Sequence, residues 1–242
     1  MARGNSPVTI TALMTVSDQR PIRVDSLGAV ALHDVSVPVH PGMIIYRKNP
    51  GVEVERALSI DNGDGANVSR LTMGVHSGTH IDGSLHFFND GTGVDALPIE
   101  AMLGRCEVVE IADPGDAIDR EALEAAGVPA GTERLVLKTP NSKLWELDEF
   151  THDFVRLDGS GAAWVLERNI KLVAIDYLSI GDHDAHVALL GNGIVALEGL
   201  DLRGIEPGPY ELICLPMKLT DTDGASARAL LRDIEPDDQE SR

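Results

Sequence analysis

Short apolar segments separated by turn residues run along most of the chain and predict an alternation of strands and helices. Segments rich in apolar and β-branched residues predict strands at residues 67–75, 105–112, 134–139, 172–177, 194–200 and 210–219, with a β-rich stretch at 28–39. Helical boundary signals and spacing predict helices at 119–126, 161–169, 182–190 and 226–231, and a short turn after Pro98. Because strands and helices alternate through the middle of the chain, we expect an α/β fold.

The same pattern sets the expected domain boundaries. Residues 1–23 are polar and weakly patterned, so we expect a loose N-terminal arm. Residues 24–232 hold the predicted elements without a convincing linker or an internal repeat, so we expect a single domain. Residues 233–242 are strongly acidic, and we expect them to form a disordered tail.

One stretch, HSGTHIDGSLHFF at residues 76–88, departs from this pattern because it holds three of the eight histidines. In an extended strand, side chains two residues apart share a face. One face then carries His76, Gly78, His80, Asp82, Ser84 and His86. On this face Gly78 would leave an open space between two histidines, where an ion and a substrate could sit. The opposite face is more apolar and is expected to pack into a core.

Two imidazoles and a carboxylate at this spacing suit Zn²⁺, Mn²⁺ or Fe²⁺. A His-x-x-x-His pair also fits a helix, but the glycine and β-branched content of this stretch argues against one. On spacing alone, three unrelated polar residues remain the alternative. His86 lies four residues past Asp82, within reach of the same pocket but not needed as a ligand.

An ion needs more ligands than one strand provides, and two distant residues suit it. Glu198 is a lone carboxylate in the apolar segment IVALEGL, where an unpaired charge is costly. His186 lies twelve residues earlier on a predicted helix, with His183 nearly on the same helical face. Taken singly, each residue also fits a plainer interpretation, in which its side chain points to solvent from an edge strand or a helix face.

Composition narrows the range of functions. A formal net charge of −19 and a pI near 4.6 argue against nucleic acid as a partner, because phosphate binding needs a basic surface. We find neither a run of about eighteen apolar residues that would predict a membrane helix nor a convincing signal peptide. Cys106 and Cys214 lie in apolar segments and are expected to be buried free thiols in a reducing cytoplasm.

The pattern H-x-G-T-H-x-D-x-x-x-H-F at residues 76–87 resembles the signature of the cyclase family of metal-dependent hydrolases. That family includes bacterial-type kynurenine formamidase and isatin hydrolase. The block HVALLGNGIVALEGLDL at 186–202 resembles the second motif region of the family, and YELICLPMKLTDTDGASARALL at 210–231 resembles its C-terminal strand and turn. The likeness covers roughly residues 30–232.

The resemblance implies a fold, a cofactor and residue roles. The implied fold is an α/β domain with a β-barrel-like mixed sheet flanked by helices, of the swivelling β/α type, in a homodimer or homotetramer. The implied cofactor is one or two divalent ions, Zn²⁺ or Mn²⁺, and the implied partner is a small-molecule substrate. The implied metal ligands are His76, His80, Asp82, His186 and Glu198. The implied general acid/base is His86, and Asp82 would be able to bridge two ions.

Two departures from the family pattern concern the substrate. Gly83-Ser84 stands where formamidases of this type usually have Ala-Pro, and we expect the change to alter the pocket wall. His33 precedes the Asp-x-Ser segment, before which those enzymes tend to carry a tryptophan. Further candidates for the substrate pocket, each of which also fits an ordinary core position, are Tyr46, Tyr177 and Phe88.

These residues support three hypotheses. The first is a hydrolase of a small amide, formamide, cyclic imide or lactone, in which an ion activates water and His86 passes a proton to the leaving group. The second is a metal- or ligand-binding protein without turnover, which a closed four-ligand site would favour. The third is a polyketide-type cyclase, which only the family name suggests.

Overall fold

Strands dominate the structure and join into one large sheet and one small sheet. The computed structural model describes residues 8–9, 22–24, 30–115 and 117–234. Within these residues the strands are β1 (Val8–Thr9), β2 (Ile22–Val24), β3 (Leu32–Asp34), β4 (Glu53–Leu58), β5 (Val68–Thr72), β6 (His80–Asp82), β7 (Leu103–Glu110), β8 (Arg134–Lys138), β9 (Leu172–Ile175), β10 (Val195–Glu198), β11 (Gly208–Pro216) and β12 (Gly224–Asp233).

Helices are short and fewer than the strands. The α-helices of the described residues are α1 (Arg120–Ala125), α2 (Gly159–Glu167) and α3 (His183–Gly191). Single turns of 3-10 helix lie at Ile60–Asn62, Ser84–His86, Val94–Ala96 and Ile99–Ala101, with a longer 3-10 segment at Pro140–Glu146. None of the helices in this part of the chain has the length and apolar character needed to cross a bilayer.

The large sheet closes into a barrel. Its strands follow the order β11-β7-β8-β9-β10-β6-β12, and β12 pairs again with β11 to complete a ring of seven strands. β7, β8, β9 and β10 are parallel to one another, whereas the other barrel pairings are antiparallel. β3 and β2 extend the sheet from β12. The predicted single α/β domain with a β-barrel-like mixed sheet is confirmed.

The parallel strands are buried on both faces, which explains their nearly unbroken apolar sequence. In β8, Val136 faces the barrel interior, whereas Leu135 and Leu137 face the helices. The interior side packs against residues such as Leu212 of β11. The outer side packs against α1, α2 and α3 through residues that include Leu123. The barrel therefore has a filled interior and one layer of helices outside the parallel strands.

Most predicted elements are present with ends shifted by one to three residues. The helix expected at 119–126 begins after Asp119, whose side chain accepts a hydrogen bond from the Ala122 N–H. Asp182 caps α3 in the same way. The turn expected after Pro98 is the 3-10 helix Ile99–Ala101. The two cysteines are free and buried as expected, and burial raises the pKa of each thiol to about 12.

Three local predictions are wrong. The helix predicted at 226–231 is part of strand β12, because residues 227–231 pair with β11 and Ser226 pairs with His80 of β6. The strand predicted at 67–75 ends at Thr72 and belongs to a separate sheet with β4 and β1, so it does not run into the histidine stretch. The histidine stretch is extended only at β6, and Ser84–His86 is a 3-10 turn.

The chain ends are described only in part. Of the predicted arm 1–23, the structure describes Val8–Thr9, which pairs with β4, and residues 22–23 of β2, which pairs with β3. Of the predicted tail 233–242, it describes Asp233 in β12 and the residue that follows. The rest of both segments lies outside the described residues.

Candidate metal centre

Strand register brings the first polar residues of the site together. β6 lies between β10 and β12, and His80 pairs directly with Glu198 of β10. Both side chains are buried, and His80 Nε2 lies 3.2 Å from Glu198 Oε2. Asp82 lies two residues along β6 and shares a face with His80, with its Oδ1 3.5 Å from His80 Nε2. Glu198 therefore points into the molecule, and the solvent-facing interpretation is wrong.

His76 reaches the same place from a turn before β6. Its Nδ1 lies 2.9 Å from Asp82 Oδ1. The turn requires Gly78, which has a φ of +65°, and the ring lies against Gly224, where a Cβ would be 2.7 Å from the ring. Gly78 does not leave the open space that the extended pattern predicts, because a Cβ there would meet Met43 Cε at 3.1 Å.

Helix α3 supplies His186. This residue lies in the first turns of the helix, and its Nε2 is 3.1 Å from Glu198 Oε1 and 3.9 Å from Asp82 Oδ2. The ring of Phe87 stacks on it, with centroids 4.7 Å apart. His183, the other histidine of the helix, has a side chain that is 76% exposed and lies outside this group of ligands.

Backbone hydrogen bonds orient two of the histidines. His80 Nδ1 lies 2.8 Å from the carbonyl oxygen of Gly78, and His186 Nδ1 lies 2.8 Å from that of Asp182. A carbonyl oxygen can only accept, so each Nδ1 carries the proton. In the neutral rings, Nε2 then holds a lone pair and faces the carboxylates. This is the orientation that a metal-binding histidine needs.

The residues present fit a divalent ion. Three groups of three residues hold their ligand atoms within 4.8 Å of one another: His76, His80 and Asp82; Asp82, His186 and Glu198; and His76, His86 and Asp223. The first two groups share Asp82 and are buried more deeply than the third. His80 Nε2, which lacks hydrogen-bond geometry to Glu198, and Asp82 Oδ2 are buried without a hydrogen-bond partner among the described residues. Such orphaned groups are costly unless an ion satisfies them. Imidazole and carboxylate donors suit Zn²⁺ or Mn²⁺.

The charges of the site also favour a cation. Burial lowers the pKa of His76, but hydrogen bonds to two carboxylates, with Asp82 the stronger, outweigh burial and raise it to about 9. Burial also lowers the pKa of His186, but the hydrogen bond to Glu198 outweighs burial and raises this pKa to about 9. Burial raises the pKa of Glu198, but its histidine partners hold it far below its usual range. The carboxylates therefore attract positive charge, which a divalent ion can supply in place of protons.

His86 lies beside the two groups that share Asp82 and belongs to the third group, with His76 and Asp223. It ends the 3-10 turn Ser84–His86, and its ring centroid is 4.0 Å from that of His76 and 6.4 Å from that of His186. Its side chain is 32% exposed, and burial lowers its pKa. A neutral imidazole at the edge of a pocket is suited to accepting and donating a proton near neutral pH.

Sequence analysis missed Asp223, which lies just before β12. Its Oδ2 is 2.8 Å from His76 Nε2 and 3.5 Å from His86 Nδ1. The segment LTDTDG contains two aspartates, and no local signal separates Asp223 from Asp221. Only the pairing of Gly224 with Asp82, between β12 and β6, brings Asp223 to the histidines.

A pocket of about 450 Å³ opens above these ligands. His76, His86, His186 and Glu198 lie among its lining residues, with Tyr46 on the wall. The other two aromatic candidates lie elsewhere, because Tyr177 is buried beside Trp145, and Phe88 packs against Gly191. The ligands are therefore open to a small molecule from one side.

Comparison with known proteins places the chain in a family. The model of the Cyclase family, described as "Putative cyclase", matches residues 33–182, which is more than half of the chain. The chain belongs to the Cyclase family. It is 31% identical to Cyclase-like protein 1 of Arabidopsis thaliana, over 93% of each chain. It is 34% identical to Kynurenine formamidase of Bacillus mycoides, over 83% of this chain and 97% of that one.

Solved structures with the same fold agree with this assignment. One is described as a potential metal-dependent hydrolase with cyclase activity; it is 31% identical, with a TM-score of 0.75, over 86% of this chain and 100% of that one. An isatin hydrolase bound to the product analogue thioisatinate superposes with a TM-score of 0.74 over 85% of this chain and 93% of that one. At 19% identity, that second likeness shows the fold alone. The predicted resemblance to this family is confirmed.

Within this Cyclase-family chain, the two departures in sequence lie away from the pocket. Gly83 fits tightly against residues 92–94, where a Cβ would lie 3.0 Å from the Thr92 carbonyl oxygen, and Ser84 Oγ accepts a hydrogen bond from the Thr92 N–H. Neither residue lines the pocket itself, but they begin the 3-10 turn that places His86 on its wall. His33 on β3 forms a hydrogen bond with Asp233 at the end of β12 and does not line the pocket either.

Proposed function

We propose that this chain is a metal-dependent hydrolase that cleaves a small amide, formamide, cyclic imide or lactone. One observation carries the proposal: two ligand groups that share Asp82 lie at the floor of a pocket of about 450 Å³ that also exposes His86. Its relatives support the same class, since one is named a kynurenine formamidase and one structure a potential metal-dependent hydrolase. An arylformamidase-like or isatin hydrolase-like reaction is the finer form of the proposal.

We propose His76, His80 and Asp82 as one ligand set and His186 and Glu198, with Asp82 shared, as the other. They would hold one or two ions of Zn²⁺ or Mn²⁺. Such an ion supplies Lewis acidity to a carbonyl oxygen and lowers the pKa of bound water. Thr79 supports this floor, because its hydroxyl donates to the Gly199 carbonyl oxygen at 2.6 Å and accepts from the Val37 N–H at 2.9 Å.

In this proposal His86 is the general acid/base. It belongs to neither of the two proposed ligand sets, faces the pocket and has a lowered pKa, so at neutral pH it can take a proton from the nucleophile and return it to the leaving nitrogen or oxygen. The alternative, a binding protein without turnover, needs a closed site. The open pocket over the ligands favours the hydrolase.

We also propose that the chain works as a homodimer or homotetramer in the cytoplasm. On the β4–β5 hairpin, Leu71 lies on one face opposite Val54, whereas Leu58 and Val68 pair on the other face. Leu58, Val68 and Leu71 are between 44% and 53% exposed, and exposed apolar side chains of this kind are suited to contact with a second copy. Cytoplasmic location is supported by two buried free thiols, Cys106 and Cys214, which suit a reducing compartment.

The decisive experiment is a hydrolysis screen with metal content measured on the same sample. Substrates would be N-formylkynurenine, isatin, small lactones and small imides. We expect turnover of at least one amide, loss of activity after thorough chelation, and recovery with Zn²⁺ or Mn²⁺. Full activity after metal removal, with the loss of metal verified, would rule out the metal mechanism. Metal binding without turnover of any substrate would favour the alternative of a binding protein without catalytic activity.

A further inference from the structure

The rim of the pocket differs in charge from the rest of the protein. The chain carries 39 acidic and 20 basic residues, yet two arginines, Arg47 and Arg156, line this one pocket. Of its two lining carboxylates, Glu198 belongs to the ligand cluster, and Asp182 keeps its charge while it caps α3. Outside the cluster, the rim therefore carries two guanidinium groups against one carboxylate and is locally cationic.

Arg47 is held with its terminal nitrogens available. Its Nε–H donates to His152 Nε2 at 2.9 Å, which fixes one edge of the guanidinium. No carboxylate of the described residues lies within ion-pair distance of its side chain. Its backbone has a φ of +35°, a conformation that residues with a Cβ seldom adopt.

Arg156 has a similar environment. Its guanidinium lies over the ring of Phe154, 5.7 Å from the centroid, and it too has no carboxylate partner among the described residues. Other exposed arginines, such as Arg120 with Glu167, do form ion pairs. Arg105 is also unpaired within this part of the chain, but it lies on β7 away from the pocket.

We propose that Arg47 and Arg156 bind a carboxylate of the substrate at the rim, while the scissile amide lies over the ligand cluster. The inference rests on the proposed function and narrows it to amides or formamides that carry a carboxylate away from the scissile bond. A guanidinium binds a carboxylate through two parallel hydrogen bonds. This contact would be made equally in the ground state and in the transition state, so it would contribute to binding more than to the chemical step.

A matched substrate pair tests this proposal. The pair is 3-(4-formamidophenyl)propanoic acid and its amide, which differ only in a carboxylate at the end of the molecule opposite to the formamide. The variants are Arg47→Gln, Arg156→Gln and, as a control with the same change in charge, Arg105→Gln. We expect each rim variant to lower kcat/KM for the acid roughly tenfold, through KM with little change in kcat, and to leave the amide unaffected. The control should leave both substrates unaffected.

Two results would overturn the proposal: wild-type protein that does not prefer the acid, or rim variants that weaken both substrates equally. If wild-type protein cleaves neither substrate, the hydrolase proposal fails for this pair, and calorimetric titration of metal-loaded protein with benzoate and benzamide then decides the inference separately. If wild-type protein binds benzoate more tightly than benzamide, and the variant with both Arg47→Gln and Arg156→Gln loses this preference, the result supports the carboxylate site. Equal binding of benzoate by wild type and double variant overturns it, because any direct contact with the metal is the same in both.

Discussion

At the scale of single residues, the site contains two kinds of group: buried carboxylates and histidines that are suited to binding a metal ion, and His86, which is suited to proton transfer. Asp82 and Glu198 are buried against histidines whose outer nitrogens are fixed by backbone carbonyls, so they form a rigid ligand set. His86 lacks a backbone hydrogen bond of that kind to its ring among the described residues and keeps a lowered pKa. The two kinds of histidine should therefore respond differently to mutation.

We expect His86→Ala to keep its metal and lose most activity, on the order of a hundredfold in kcat, because it removes a proton-transfer group and no ligand. His80→Ala should lose both metal and activity. Metal analysis by mass spectrometry beside a turnover assay measures each effect. Full turnover in the His86 variant would remove His86 from the mechanism, and full metal content in the His80 variant would remove His80 from the ligands.

Asp223 contacts both kinds of histidine and is expected to position them. Asp223→Asn should weaken Zn²⁺ or Mn²⁺ binding roughly tenfold, because it removes the charge that holds His76 from behind. Competition with a fluorescent chelator measures the affinity. Asp221→Asn is the matched control, since Asp221 lies two residues away and its φ of +55° suits asparagine. Equal affinities for the Asp223 variant and wild type would show that Asp223 has no such role.

At the scale of elements, the sequence predicts the buried parallel strands and capped helices well, since apolar runs and Asp caps are local signals. It fails at β12, because ARALL has strong helical propensity and only pairing with β11, β6 and β3 makes it a strand. The same limit applies to the site. Spacing and family resemblance predict His76, His80 and Asp82. Asp223 and Arg47 could not be predicted in this way, because only the folded barrel brings them to the site.

Gly199 joins two elements of the site and should tolerate no side chain. It follows β10 with a φ of +75°, and a Cβ there would lie 2.1 Å from the Gly78 carbonyl oxygen, which itself orients His80. We expect Gly199→Ala to lower the free energy of unfolding by about 2–4 kcal/mol, because backbone strain and overlap add. Gly193→Ala isolates the strain, since Gly193 has a φ of +73° and open space around it. Equal losses in urea unfolding of the two variants would disprove the steric contact.

At the scale of the whole molecule, the barrel buries its apolar residues, whereas the β4–β5 hairpin exposes several of its own. The barrel closes its own sheet edges, with β12 bridging β6 and β11, and buries its apolar residues. The β4–β5 hairpin does the opposite, because every residue of β5 is exposed and its apolar side chains pair across to β4. A small sheet of this kind is marginal in isolation. Its exposed apolar side chains are the basis of the proposal that a second copy packs against it.

We therefore expect the purified chain to have the mass of a dimer or tetramer, and Leu71→Lys to weaken association at least about tenfold, because it replaces an exposed apolar side chain with a charge. Leu71 is 53% exposed and pairs with Val54. Thr72→Lys is the matched control: it adds the same charge one residue later, opposite Glu53 and on the other face of the hairpin. Light scattering across a concentration series measures the mass. A monomeric wild type would exclude association. Equal masses for Leu71→Lys and wild type would mean that any contact between copies lies elsewhere. Dissociation of both variants would show that added charge alone, and not its position, causes the effect.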